Sequence, residues 1–199
     1  MSDPKTLLQM AGADLSPASL SGSVVIFVDC QVEYVSGGLP LSGIEPALAE
    51  CCNLLERARA GGAEIVHIAH KGKAGGAFDR DGPGGQFAGA VGPEDGEVII
   101  EKGLPNAFAG TGLDDVIRKT GRTQLIIAGF MTHMCISSTA RAALDLGYST
   151  TIVAKATATR DLPGAGGGMI DAATLQMASL AALADRFAVI VESSGDLLD

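Results

Sequence analysis

Residues 23–33 read Ser23-Val24-Val25-Ile26-Phe27-Val28-Asp29-Cys30-Gln31-Val32-Glu33, an unbroken apolar run closed by an ionisable residue. A run this continuous, rich in β-branched residues and without polar alternation, suits a strand buried on both faces, as parallel strands are when helices cover them. The pattern recurs at 64–69, 97–100, 124–128, 150–154 and 187–191. Between these runs apolar residues fall at steps of three and four: Ile44, Leu48, Cys51, Leu55 and Ala58; Leu113, Val116 and Ile117; Ile136, Ala140, Ala143 and Leu144; Leu175, Ala178 and Ala182. The order β-α-β-β-α-β-α-β-α-β predicts an α/β fold. We expect a doubly wound, mostly parallel six-stranded sheet with helices on both faces, a Rossmann-like three-layer αβα arrangement. Sites in such sheets lie beyond the carboxyl ends of the strands, where the winding reverses.

The 199 residues carry 14 Lys and Arg against 23 Asp and Glu, a net charge of −9, and 47% of them are hydrophobic. That is apolar material for one core, so we expect a single domain over 1–199, with 1–22 as an N-terminal extension. The negative charge and the lack of a basic cluster argue against nucleic acid and against anionic membranes. No apolar run approaches the ~18–20 residues of a membrane span, and the polar start Met1-Ser2-Asp3-Pro4-Lys5 lacks a signal-peptide pattern, so we expect a cytoplasmic protein. Cys30, Cys51, Cys52 and Cys135 fit neither a disulfide scaffold nor a C-x-x-C zinc framework, which leaves free thiols. With no tryptophan and 4% aromatic residues, a base-stacking surface is not expected either.

The usual ligands of such sheets find no support. After Val28 comes Asp29-Cys30-Gln31 instead of a G-x-G-x-x-G turn, and both G-x-x-x-x-G-K-[ST] and G-x-S-x-G are absent. His67 and His70 sit three apart on a predicted strand and so point to opposite faces, unable to grip one ion together. His67 reads as a packed strand residue, while His70, at the strand's carboxyl end, reads as a site residue or a loop anchor. We expect no metal and no cofactor. Two glycine-loaded stretches, 71–96 and 161–168, interrupt the regularity and read as lids, binding loops or surface excursions.

The segment Gly129-Phe130-Met131-Thr132-His133-Met134-Cys135 runs from a strand end towards a helix. Near a helix N-terminus, free backbone amides and the helix dipole lower a thiol pKa and can receive an oxyanion. Asp29 closes the first strand and Lys102 follows the third. An acid, an amine and a thiol at three strand ends can converge on one cleft: the carboxylate takes the thiol proton, and the ammonium keeps the carboxylate ionised.

These stretches, with Glu101-Lys102-Gly103, Asn106-Ala107-Phe108 and Thr111-Gly112-Leu113 between them, resemble the isochorismatase-like cysteine hydrolase superfamily, which includes nicotinamidases and carbamoylsarcosine, biuret and streptothricin hydrolases. The resemblance runs from Val24 to Val191. It implies a catalytic triad of Asp29, Lys102 and Cys135, a cis peptide between Phe130 and Met131, and an oxyanion hole from the amides of Met131 and Cys135. Metal-dependent nicotinamidases carry an Asp-x-His run that is missing here, and the vinyl-ether-cleaving isochorismatases have lost the cysteine that this chain keeps. The resemblance therefore implies cleavage of a C–N (amide) bond in a small molecule through a thioester, and it is strongest towards the branch near streptothricin hydrolase.

Gln31, His70 and Phe108 are the expected substrate-binding or orienting residues, and a homo-oligomer, dimer or tetramer, is the expected assembly. Two rivals stay open at this point. One is a Cys–His dyad with His70 or His133 as the base. The other is a non-catalytic thiol sensor or interaction scaffold on the same fold.

Overall fold

In chain order the elements are α1 (Leu7–Met10), β1 (Ser23–Val28), α2 (Ile44–Ala60), β2 (Glu64–His70), β3 (Val98–Lys102), α3 (Leu113–Thr120), β4 (Gln124–Phe130), α4 (Ser137–Asp145), β5 (Ser149–Ala158), β6 (Leu162–Pro163), β7 (Met169–Ile170), α5 (Ala172–Arg186) and β8 (Val189–Val191). This computed structural model describes residues 3–199; Met1 and Ser2, the start of the expected extension, lie outside the described residues. Six strands form one sheet in the order β3-β2-β1-β4-β5-β8, every neighbouring pair parallel. The chain winds outwards from β1 through β2 to β3, then returns to β4 and winds the other way. The reversal falls between β1 and β4, which places the switch point at the carboxyl ends of those two strands.

Strand alternation sends the side chains of β1 into two cores. Val25 and Phe27 face α2 and meet Cys51, Leu54, Leu55 and Ala58, whereas Val24, Ile26 and Val28 meet Leu113, Ile117, Ile136, Ala140, Ala143 and Leu183 on the other side. All five of these apolar side chains are fully buried, each worth about 1.5–3 kcal/mol of hydrophobic stabilisation. The helices end where their sequences stop them. Asp171 caps α5 by accepting from Thr174 N at 2.9 Å, and α3 closes on Gly121 at φ 72°.

The expected strands and helices are all present, with informative differences at their ends. β2 and β3 run past the apolar runs to His70 and Lys102, polar residues that interrupt the hydropathy signal without interrupting the strand, and β4 and β5 run on through Gly129 and Lys155 to Phe130 and Ala158. β3 is an edge strand, so Val98 and Ile99 are 36% and 48% exposed, unlike the doubly covered strand that their apolarity suggests. The stretch 161–168 carries half of an antiparallel hairpin, β6 with β7. The 71–96 loop is fastened back on the β1 end: Val32 N donates to Gln86 O at 2.9 Å and Ala88 N to Cys30 O at 2.8 Å. The N-terminal segment is likewise tied down, by Leu7 N to Asp185 Oδ1 at 2.8 Å and Ala18 N to Thr151 Oγ1 at 3.0 Å. Among the described residues no helix is long and apolar enough to cross a membrane.

Candidate active site

Asp29 follows β1 directly and has φ 53°, a left-handed conformation that Asp tolerates better than most residues. Its amide donates to Ile68 O at 2.9 Å, continuing the pairing of β1 with β2. Lys102 ends β3 two strands away and reaches across: its Nζ lies 2.7 Å from Asp29 Oδ2 with both side chains wholly buried. The same Nζ donates to Cys135 Sγ at 3.4 Å. One ammonium thus bridges the acid and the thiol, and the three residues predicted to meet do meet.

Cys135 stands in a π-helical turn, Thr132–Ile136, wedged between β4 and α4. Met134 N and Ile136 N both return to Met131 O, at 3.0 and 3.2 Å, and the Phe130–Met131 peptide is cis. The turn is stitched to the end of β5 by Thr132 Oγ1, which donates to Ala158 O at 3.1 Å, and by His133 Nδ1, 2.5 Å from Thr159 Oγ1. β1 and β4 approach closely just behind it. A Cβ on Gly129, which has φ 111°, would sit 2.0 Å from Val28 O, so only glycine fits.

The electrostatics differ from the expectation of a thiol acidified by a helix N-terminus. Burial, followed by the Asp29 carboxylate, pushes the Cys135 thiol up to about 12, with Lys102 only partly opposing. Desolvation leads because the sulfur is nearly enclosed, Cys135 being 3% exposed. Burial also raises Asp29 above the ordinary carboxylate range, against the pull of Lys102 and of the Cys135 thiol. Apart from the ion pair, neither Asp29 oxygen accepts a hydrogen bond of regular geometry, so a carboxylate oxygen is open to a proton. Burial and the Asp29 charge both favour the neutral form of the thiol.

Of the other expected residues, His70 lies close: its Nδ1 is 3.4 Å from Lys102 Nζ, its ring packs edge-on to Phe78, and burial with the nearby ammonium lowers its pKa. Gln31 is wholly buried and spends its amide on backbone, Oε1 accepting from His70 N at 2.8 Å and Nε2 donating to His70 O and Gly85 O at 3.0 and 2.8 Å. It fastens the loop to the end of β2. Phe108 stacks on Tyr148 at 6.0 Å and packs against the core on the α3 and α4 side. His67 is buried in its strand, bonding Glu97 Oε2 through Nε2 at 2.8 Å, so the two histidines have separate partners. Among the described residues no three His, Cys, Asp or Glu side chains gather with metal-binding geometry.

Sequence reasoning passed over Tyr34, Phe78 and Arg160. Tyr34 packs edge-on to Phe78 and Phe130, and its hydroxyl pKa is raised by burial and by the nearby Cys135 and Asp29. Arg160 follows the end of β5, one residue beyond Thr159. The strand-end rule would have found it had the β5 run been carried past Ala154.

The Isochorismatase domain model matches residues 23–194. A secreted isochorismatase effector, Isc1, of Verticillium dahliae is 35% identical over 185 residues, covering 92% of this chain and 95% of that one. A streptothricin hydrolase of Streptomyces noursei is 34% identical over 158 residues, which span 79% of this chain and 62% of the hydrolase. Among solved structures, an isochorismatase from Pseudomonas putida KT2440 superposes with a TM-score of 0.94 at 42% identity, covering 98% of this chain and 100% of its own. The doubly wound sheet, the acid, amine and thiol at its strand ends and the match over residues 23–194 agree that the chain belongs to the isochorismatase family.

Proposed function

We propose that this protein is a cysteine-dependent hydrolase that cleaves a C–N (amide) bond of a small, non-peptide molecule. The observation that carries the reading is the Lys102 ammonium held between Asp29 at 2.7 Å and Cys135 at 3.4 Å. Relatives named ureidoacrylate amidohydrolase and maleamate amidohydrolase, at 25% and 28% identity, support the bond class. The 3% exposure of Cys135 favours a slender substrate over a polymer.

In this reading Asp29 takes the thiol proton as Cys135 Sγ attacks the carbonyl carbon. With the thiol pKa held near 12, transfer accompanies attack and no standing thiolate precedes it. The oxyanion is received by the amides of Met131 and Cys135, which lie at the start of a helical segment where N–H groups lack intrahelical acceptors. Protonated Asp29 hands its proton to the departing nitrogen, leaving a thioester. Asp29 then deprotonates a water that attacks the thioester, the acid leaves, and the sulfur regains its proton. Lys102 offsets the buried negative charge throughout.

The raised thiol pKa speaks against the sensor reading, since peroxide attacks thiolates. The four cysteines are free, which supports a reducing compartment such as the cytoplasm. α5 carries no charged residue from Ala172 to Ala184 and exposes 68% of Met177, which supports self-association through that helix. Screening a panel of small amides for ammonia release, with intact-mass detection of an acyl adduct, tests the chemistry. Wild type should release ammonia and carry the adduct on Cys135, and Cys135→Ala should do neither. Undiminished turnover by Cys135→Ala would overturn the reading.

A further inference from the structure

The two edges of the sheet are finished differently. β8 has 3 residues, and the N-terminal segment lies along it, Thr6, Gln9 and Leu15 sharing the walls of one small cavity with Val189 and Ile190. β3 has 5 residues, Val98-Ile99-Ile100-Glu101-Lys102, and no strand on its outer side. Val98 and Ile99 point to opposite faces and are 36% and 48% exposed, so both faces are partly open there. Proteins protect sheet edges with short strands and covering segments, and an edge that is apolar and uncovered is a pairing surface.

The backbone of β3 limits what can pair with it. Lys102 O accepts from Lys71 N at 2.8 Å, on the β2 side. Along a strand the hydrogen-bonding direction alternates from residue to residue, so Val98, Ile100 and Lys102 face β2 while Ile99 and Glu101 turn their N–H and C=O groups outwards. Among the described residues none of those outward groups has a hydrogen-bond partner.

This strand can serve as its own mate. In an antiparallel pairing centred on Ile100, Ile99 faces the partner's Glu101 and Glu101 faces the partner's Ile99, so every outward N–H and C=O is met. Centring on Ile99 instead sets Glu101 against the partner's Glu97, and centring on Glu101 sets two Glu101 carboxylates together. Like charges directly opposed are destabilising, and the Ile100 register avoids both clashes. It also lays Ile100 against the partner's Ile100, on the face that already meets the core on the α3 side.

We propose that two copies of this chain pair β3 against β3, antiparallel about Ile100, so that one sheet runs through both molecules. The inference is independent of the amidase reading and uses a different face from α5. It braces the strand that ends in Lys102, with the partner's Val98 opposite that residue.

The test is the solution mass of the full chain, by light scattering after size-exclusion chromatography, with oxidative cross-linking for the register. Wild type should run as an even-numbered assembly across micromolar concentrations. Ile99→Lys puts a charge on the edge, and Ile99→Pro removes an outward N–H that the β2 ladder does not use; each should halve the mass while circular dichroism stays that of wild type. Ile100→Cys should form a disulfide-linked dimer on diamide oxidation, since residues opposed in this way have Cα atoms ~4.5 Å apart. Val98→Cys, roughly 13 Å from its mate in this register, should not. A monomeric wild type, or an assembly whose mass Ile99→Lys leaves unchanged, would overturn the proposal. So would an Ile100→Cys chain that does not cross-link, or a Val98→Cys chain that does. Should Ile99→Pro fail to fold, Ile99→Lys and the two cysteine variants decide.

Discussion

Asp29→Asn should make Cys135 easier to alkylate while removing turnover. The change keeps the side chain's size and removes one negative charge beside a thiol held at about 12, with Asp29 the second-largest cause after burial. A unit charge at ~5 Å under an effective dielectric of ~20 is worth ~3 kcal/mol, which is about two pH units. Near pH 8.5 the thiolate fraction then rises ~100-fold, and since nucleophilicity falls with thiol pKa by a Brønsted exponent of ~0.4–0.5, the net gain is about tenfold. Turnover moves the other way, by roughly 10²- to 10⁴-fold, because the base is gone. The assay follows iodoacetamide addition to Cys135 by intact mass, beside ammonia release and a thermal melt that shows the variant folded. An unchanged or slower alkylation in folded Asp29→Asn would refute the assignment of the raised thiol pKa to the carboxylate.

Lys102→Met leaves Asp29 charged and unpaired in the interior, a change of about 3–5 kcal/mol against folding at pH 7. Because Asp29's folded pKa then lies far above its unfolded value, the variant should recover stability as pH falls through that folded pKa, and a urea midpoint that does not rise on mild acidification would contradict this. Glu97, held down to about 2 mainly by Arg59 and then by the Glu94 amide and His67, contributes stability present above its unfolded pKa and lost as pH falls towards 2. Glu97→Gln should forfeit roughly 2 kcal/mol at neutral pH and flatten the acid limb of a stability-against-pH curve. His70→Ala should keep turnover within about tenfold if Asp29 is the base, and near-complete loss would favour the Cys–His dyad instead.

The sheet was legible because burial on both faces writes itself into sequence as unbroken apolar runs, and all six strands start within two residues of those runs. Their carboxyl ends were less legible. His70, Lys102 and Arg160 are polar residues at or just beyond strand ends, where periodicity stops reporting and chemistry begins. Asp29 and Lys102 were found because each interrupts an apolar stretch, and Cys135 because it follows one. The π-helical turn and the raised thiol pKa were not readable, since both depend on how tightly Phe130, Met131 and β5 close around the sulfur. Gln31 was read as a site residue when its amide is spent on loop backbone, a distinction that needs distances.

Val28 and Gly129 are adjacent in the sheet, and the clearance between them is set by main-chain atoms alone. Asp29 and Phe130 are the next residues along, so this main-chain seam sets how far apart the turns that carry Asp29 and Cys135 begin. Substitution of nearby side chains such as Tyr34 or Phe78, which pack on Phe130 and His70, leaves that main-chain spacing alone. Thickening the seam by a single methyl at Gly129 would force β1 and β4 apart at this point.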